Sequence, residues 1–140
     1  MRQNNSISEL YLADNRLSPE DGAHLRALIS LSNTLTLLDL RNNNLQVITK
    51  LIMTTVVTRY CQDIGLLHIC EGLKTAKCNL ETLVLWNNKI SIKSIPSLSE
   101  ALIKNSKLQT LNLGQNAIQV VTFIRDLFFT FDSRKMVHIY

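Results

Sequence analysis

The chain has 140 residues, of which 46% are hydrophobic and 19% charged, with a formal net charge of +4. This length and composition allow one domain with a modest core and argue against disorder of the whole chain. The positive surplus lies mostly at 47–62 and after Gln119, without a basic stripe interleaved with aromatic residues, and no apolar segment reaches membrane-spanning length. We therefore expect neither nucleic acid nor a membrane as a partner.

The amino terminus is polar and precedes no apolar run of the kind found in secretory signal peptides. We expect an intracellular, cytoplasmic location, and a nuclear one stays open. The three cysteines, Cys61, Cys70 and Cys78, are odd in number and lack CxxC spacing, which favours reduced thiols over a disulfide framework. Asp63 and His68, together with the cysteines, have no recognised metal-ligand spacing, so no metal site is predicted.

One spacing pattern, LxxLxLxxNxL with isoleucine allowed for leucine, occurs four times. Its matches are Ile7, Leu10, Leu12, Asn15 and Leu17; Leu35, Leu38, Leu40, Asn43 and Leu45; Leu80, Leu83, Leu85, Asn88 and Ile90; and Leu108, Leu111, Leu113, Asn116 and Ile118. Each LxL pair predicts a short strand with both leucines pointing inward, because side chains alternate across a strand. We interpret the four ladder asparagines as structural, since their amides can pair backbone groups where the chain leaves the sheet: Asn15, Asn43, Asn88 and Asn116.

The segments between the strands predict helices. Ser18 is a candidate N-cap followed by Pro19, and an apolar face comes next at Leu25, Leu28 and Ile29. The same face recurs before the third and fourth strands, at Ile69, Cys70 and Leu73 and at Leu98, Ala101 and Leu102. This alternation predicts an α/β leucine-rich-repeat solenoid of about four repeats, with curved parallel strands inside and helices outside.

The spacing of the ladder asparagines is uneven. The first and last pairs are each 28 residues apart, whereas Asn43 and Asn88 are 45 apart. Removing residues 47–62 would leave 29, and repeats of 28 and 29 residues alternate in the large, helix-containing class. We therefore assign 1–119 to the repeats, interrupted by 47–62, and 120–140 to an atypical tail.

Two origins stay open for each irregular segment. Introns begin with GT and end with AG. Residues 47–62 begin with valine, whose codons start with GT, and end with glutamine, which CAG encodes, so the segment matches an unspliced in-frame intron. The alternative is a genuine loop insertion, which solenoids tolerate between repeats. The tail at 120–140 follows Gln119 as 47–62 follows Gln46, so it is either a similar read-through or a divergent capping repeat.

Solenoids of this class bind partners on the concave strand face, where outward positions of successive strands align into rows. The rows are Tyr11, Asp39, Val84 and Asn112; Ala13, Arg41, Trp86 and Gly114; and Asp14, Asn42, Asn87 and Gln115. From them we predict a protein-binding surface made of Tyr11, Asp39, Arg41, Val84, Trp86, Asn112 and Gln115. Trp86 and Arg41 are residue types that dominate interface energetics. The alternative is that Trp86 only covers its neighbours.

No catalytic constellation accompanies the repeats. His24, His68 and His138 lie in unrelated contexts, and neither a nucleophile elbow nor a phosphate-binding loop is present. We expect a non-catalytic protein-binding module that needs no cofactor.

The repeats resemble the ribonuclease-inhibitor type and, more specifically, the regulatory subunit 37 family of protein phosphatase 1. The resemblance covers about 7–46 and 63–118 and rests on Leu10-Tyr11-Leu12-Ala13-Asp14-Asn15, Leu38-Asp39-Leu40-Arg41-Asn42-Asn43, Ile69-Cys70-Glu71-Gly72-Leu73, Thr82-Leu83-Val84-Leu85-Trp86-Asn87-Asn88 and Thr110-Leu111-Asn112-Leu113-Gly114-Gln115-Asn116. It implies a protein partner, the phosphatase 1 catalytic subunit, and inhibition of that subunit.

That family docks through a basic-Val-x-Phe motif outside its repeats. Val121-Thr122-Phe123 has the spacing but lacks the preceding basic residue, so we assign no docking motif. The alternatives are another ribonuclease-inhibitor-like scaffold, of actin-filament or immune-receptor type, and an inert structural fragment.

Overall fold

Short parallel strands and helices alternate along the chain. The computed structural model describes residues 6–46, 63–118 and 136–138. The strands are β1 (Glu9–Tyr11), β2 (Leu37–Asp39), β3 (Thr82–Val84), β4 (Thr110–Asn112) and β5 (Met136–His138), and the helices are α1 (Gly22–Leu31), α2 (Ile64–Leu73) and α3 (Ile95–Lys104). The irregular segment 47–62 and residues 120–135 and 139–140 of the predicted tail lie outside this description.

All five strands form one parallel sheet in sequence order. The register aligns the central residues of the strands, which are Leu10, Leu38, Leu83, Leu111 and Val137. Because each strand contributes only three residues, every repeat adds one rung to the sheet, and one described helix lies between each pair of consecutive strands from β1 to β4. This architecture confirms the predicted α/β leucine-rich-repeat fold.

The inward leucines and the apolar helix faces form one continuous core. Leu38, Leu83 and Leu111 are at most 1% exposed, and Ile69 and Leu98 of the helices pack into the same cluster. Each fully buried leucine contributes about 1.5–3 kcal/mol relative to an exposed one. The core therefore runs along the whole stack of repeats.

The first repeat is less buried than the others. Ile7 is 42% exposed, and Leu10 and Leu12 are only partly buried. Within the described residues no further repeat covers their outer side. Their leucine pattern is the same, so the difference comes from position in the stack and not from sequence.

A short 3-10 helix precedes both α1 and α3. The first, Pro19–Asp21, follows Ser18, whose backbone amide donates a hydrogen bond of 2.8 Å to the Asp21 carboxylate. This bond lowers the pKa of Asp21. The second 3-10 helix is Ile92–Ser94. The predicted helix after Ser18 is therefore present, but its α-helical part begins only at Gly22.

Two ladder asparagines satisfy several backbone groups each. The Oδ1 of Asn43 accepts hydrogen bonds from the amides of Asn15 and Leu17, while its Nδ2 donates to the carbonyls of Leu12 and Leu40. The side chain of Asn116 makes equivalent bonds to the neighbouring repeat. Both amides thus join adjacent repeats.

The other two ladder asparagines behave differently. Asn15 is exposed, and among the described residues its side chain donates only to the carbonyl of Ala13. Asn88 is fully buried, and its Nδ2 donates a hydrogen bond to the Leu40 carbonyl. Its Oδ1 accepts no hydrogen bond from any described residue. The ladder therefore ties the first repeat to the second and the third to the fourth more fully than it ties the second to the third.

We expect Asn43→Ala to lower the free energy of unfolding by roughly 2–4 kcal/mol, since it leaves buried backbone groups without partners. Asn15→Ala, at the exposed end of the ladder, is the matched control and should cost less than about 1 kcal/mol. Urea unfolding followed by circular dichroism measures both. Equal losses for the two variants would contradict the assigned role of Asn43.

The residues that flank 47–62 lie against each other. A Cβ atom added at Gly65 would lie 2.7 Å from the Leu45 carbonyl oxygen, so only glycine allows this approach. Asp63, the first described residue after the gap, is 2% exposed. Its carboxylate accepts hydrogen bonds of 2.7 Å from both the Ser91 amide and the Ser94 hydroxyl. The start of α2 is therefore fixed to the third repeat by its own contacts.

Deleting residues 47–62, so that Gln46 joins Asp63, should leave a cooperatively folded chain at least as stable as the original. The contact between Leu45 and Gly65 leaves little distance to bridge, and a shorter connection costs less closure entropy. Thermal unfolding measures the outcome. Deleting 47–63 instead also removes the buried Asp63 and should lower the midpoint. Loss of the cooperative transition in the first deletion would show that the repeats need the segment.

One strand was not predicted. β5 lies within the tail at 120–140 and pairs with β4 in parallel, with Met136 opposite Thr110. Its Val137 packs against the core, while Met136 is 59% exposed. The segment carries no LxxLxL pattern, so leucine periodicity could not reveal it. Whether the tail is a cap or a read-through product stays a prediction.

Candidate functional site

The outward rows predicted from the sequence are present on the sheet. The strand register places Tyr11 beside Asp39, Asp39 beside Val84, and Val84 beside Asn112, and His138 extends this row on β5. The next row is aligned by backbone hydrogen bonds between neighbouring strands. The accepting carbonyls are those of Arg41, Trp86 and Gly114. Neighbouring members of a row are therefore about 4.8 Å apart, the spacing between paired strands.

A buried carboxylate orients Arg41, the only arginine in the described rows. Asp39 is 2% exposed, and its Oδ2 accepts a hydrogen bond of 2.8 Å from the Nε of Arg41, while its Oδ1 accepts the Arg41 amide at 3.0 Å. The Nη2 of Arg41 completes the ion pair. This pairing raises the pKa of Arg41.

This geometry changes the role of Asp39 in the predicted surface. The sequence placed it among the residues that contact a partner, but its burial under Arg41 leaves almost none of its surface accessible. The Arg41 side chain, in contrast, is 52% exposed. Asp39 therefore holds Arg41 in one orientation, and Arg41 is the member of the pair that a partner can reach.

The aromatic residues of the surface lie on either side of this pair. Tyr11 is 59% exposed, and its hydroxyl donates a hydrogen bond of 2.7 Å to Glu9, which raises the pKa of Tyr11. Trp86 follows Arg41 in its row and is half-buried, less accessible than the exposed aromatic expected from the sequence. Val84 and Asn112 are also half-buried.

The third row has a structural requirement of its own. Asp14, Asn42, Asn87 and Gln115 all have left-handed backbone conformations, with φ between 50° and 60°. Asparagine and aspartate tolerate this region better than other non-glycine residues, which explains their recurrence there. Gln115 is exposed, and its predicted role in binding stays a prediction. The repeated aspartate or asparagine at this position is the sequence signal for the left-handed turn.

The described residues contain no group of three or more metal-ligating side chains, and no described helix is long and apolar enough to cross a membrane. The ring of His68 packs against Gly22 between α1 and α2. His24 is exposed and His138 ends β5. These three histidines are therefore on different parts of the repeats.

The two described cysteines are free and buried. Burial raises the pKa of the Cys70 thiol to about 12, and it also raises the pKa of Cys78. Because the thiolate is the reactive form, neither thiol is suited to nucleophilic chemistry at neutral pH. Cys61 lies outside the described residues.

We expect iodoacetamide at pH 8 to leave Cys70 unmodified in the folded protein, since a pKa of about 12 leaves almost no thiolate and the side chain is covered. Mass spectrometry after timed quenching measures the modification. The same reaction in guanidinium chloride is the control, in which Cys70 should react fully. Alkylation of Cys70 in the native protein at the denatured rate would contradict its burial.

Comparison with known proteins gives the same class as the fold. The Leucine Rich Repeat family model matches residues 79–101. The protein phosphatase 1 regulatory subunit 37 homolog of Caenorhabditis briggsae is 44% identical over 118 residues, which cover 81% of this chain and 11% of the relative. The human protein phosphatase 1 regulatory subunit 37 is 40% identical over 98 residues, covering 69% of this chain and 12% of the relative.

A more distant relative is the human NACHT, LRR and PYD domains-containing protein 13, which is 30% identical over 131 residues. That match covers 85% of this chain and 13% of the relative. The chain thus spans only about a tenth of the length of the curated relatives it matches.

The repeated strands, the ladder asparagines and the family match together define a leucine-rich-repeat protein. Across most of its length, the chain is homologous to protein phosphatase 1 regulatory subunit 37.

Proposed function

We propose that this chain is the non-catalytic, protein-binding repeat segment of a phosphatase regulatory protein, and that its partner is the catalytic subunit of protein phosphatase 1. The observation that carries the proposal is the 44% identity to a relative named as a regulatory subunit of that phosphatase, over 81% of this chain. The shared region is the repeat array itself, which lacks the docking motif expected from the family, so the repeats are the part of this chain through which we propose that it contacts the catalytic subunit.

The exposed sheet face is the proposed contact surface. Tyr11, Arg41 and Trp86 are the residue types most enriched at binding hot spots, and all three lie in adjacent rows. Because Asp39 already fixes the Arg41 guanidinium, a partner that binds it loses less side-chain entropy on association. The free Cys70 and Cys78 support an intracellular location for this interaction.

Direct binding tests the proposal. The full chain should bind the immobilised phosphatase 1 catalytic subunit in biolayer interferometry, and Trp86→Ala or Arg41→Ala should weaken it about tenfold, the effect of a moderate hot spot. Ile103→Ala is the matched control, since Ile103 is 61% exposed on α3 and away from the sheet face. Unchanged binding by both sheet variants would exclude this face as the contact surface.

A phosphatase assay separates binding from inhibition. If the repeats alone inhibit, the chain at micromolar concentration should lower the activity of the catalytic subunit, and Trp86→Ala should restore it. Binding without any loss of activity would show that inhibition resides elsewhere in the longer relatives.

A further inference from the structure

Exposed carboxylates surround the aromatic part of the sheet face. Glu9 lies at the start of β1, Glu81 directly precedes β3, and Asp14 follows β1 by three residues. All three are exposed, and none forms an ion pair with another residue in the described parts of the chain. Tyr11, Arg41 and Trp86 therefore lie between acidic groups at the beginning of the strands and an acidic group beyond their ends.

The positive charge on this face is already compensated. Arg41 is its one basic residue in the rows, and Asp39 pairs with it. Arg16 and Lys89 come after the ladder asparagines, in the turns that leave the sheet. The described residues as a whole contain nine acidic and nine basic side chains, so their overall charge is balanced.

We propose that the sheet face binds a cationic segment of a protein partner, with lysine or arginine side chains near Glu9, Glu81 and Asp14 and an apolar side chain against Trp86. This inference rests on the proposed function and specifies the chemistry of its partner. Complementary charge at the rim steers association, and the desolvated aromatic centre supplies most of the affinity.

The strand spacing fits this arrangement. Tyr11 and Val84 belong to β1 and β3, which are two rungs apart and therefore about 10 Å from each other. A cationic segment of the partner that crosses both strands passes over Arg41. Because Asp39 already neutralises the Arg41 guanidinium, the segment meets no uncompensated positive charge there. An anionic segment, in contrast, would meet three exposed carboxylates without an ion-pair partner among the described residues, and one arginine that is already paired.

A labelled peptide tests the sign and the location of this surface. The probe is a fluorescein-labelled peptide with lysines on both sides of a central Leu-Phe pair, and the matched peptide has glutamate at every lysine. The full chain should bind the lysine peptide in fluorescence anisotropy at low salt, and binding should weaken as the ionic strength rises. Equal or tighter binding of the glutamate peptide, or no measurable binding of the lysine peptide, would overturn the proposal.

Two triple variants with the same change in net charge locate the site. Glu9→Gln, Asp14→Asn and Glu81→Gln together should weaken binding of the lysine peptide about fivefold or more, as expected for three exposed ion pairs. The helix-side control combines Glu20→Gln, Glu71→Gln and Glu100→Gln and should change binding less than twofold. Asparagine suits the left-handed conformation of Asp14, and circular dichroism verifies that both variants are folded. Equal weakening by the two triples would overturn the proposal.

Binding of the same variants to the phosphatase catalytic subunit distinguishes the proposed function from the cationic-segment inference. If the subunit binds and the sheet-face triple weakens it as it weakens the peptide, both stand. If the subunit binds and that triple has no effect, the cationic-segment inference fails while the proposed function holds. If the lysine peptide binds at the sheet face but the subunit does not bind at all, the assigned partner is wrong and the chemistry of the surface stands.

Discussion

Strands of three residues can build a sheet only if the backbone groups at their ends find partners, and the side chains of Asn43 and Asn116 meet this need most fully. Each β-strand is too short to be stable alone, so its hydrogen bonds come entirely from neighbouring repeats. The amides of Asn43 and Asn116 extend this pairing past the strand ends and into the turns. The rows of outward side chains depend on this register, because a shift by one residue would exchange the inner and outer faces.

The repeats alternate in pairs. In the first and third repeats, Arg16 and Lys89 adopt left-handed conformations after the ladder asparagine, and a 3-10 helix follows. In the second and fourth, Asp39 and Asn112 accept the backbone amide two residues later. In the first outward row, the polar Asp39 and Asn112 therefore occupy β2 and β4. Tyr11 and Val84 occupy β1 and β3. The surface presented to a partner thus changes character from one rung to the next.

Leucine periodicity was sufficient to predict the strands, the core, the parallel architecture and the alignment of the outward rows, because all of these follow from one repeating pattern. It could not predict that Asp39 is buried under Arg41, since both positions face outward in the pattern and only the conformation of the arginine covers the carboxylate. It also missed β5, whose Met-Val-His sequence carries no repeat signature. Periodicity describes what repeats share, whereas the candidate surface depends on how they differ.

The fixed position of α2 has a practical consequence for protein engineering. Asp63 accepts hydrogen bonds from Ser91 and Ser94, and Gly65 lies against Leu45. The residues on both sides of 47–62 are therefore positioned by contacts with the repeats. We therefore expect that the geometry of the sheet does not depend on the length of polypeptide between Gln46 and Asp63. A fluorescent reporter or an affinity tag placed there would leave the outward rows unchanged, which makes this junction a natural attachment point for studying the repeats in cells.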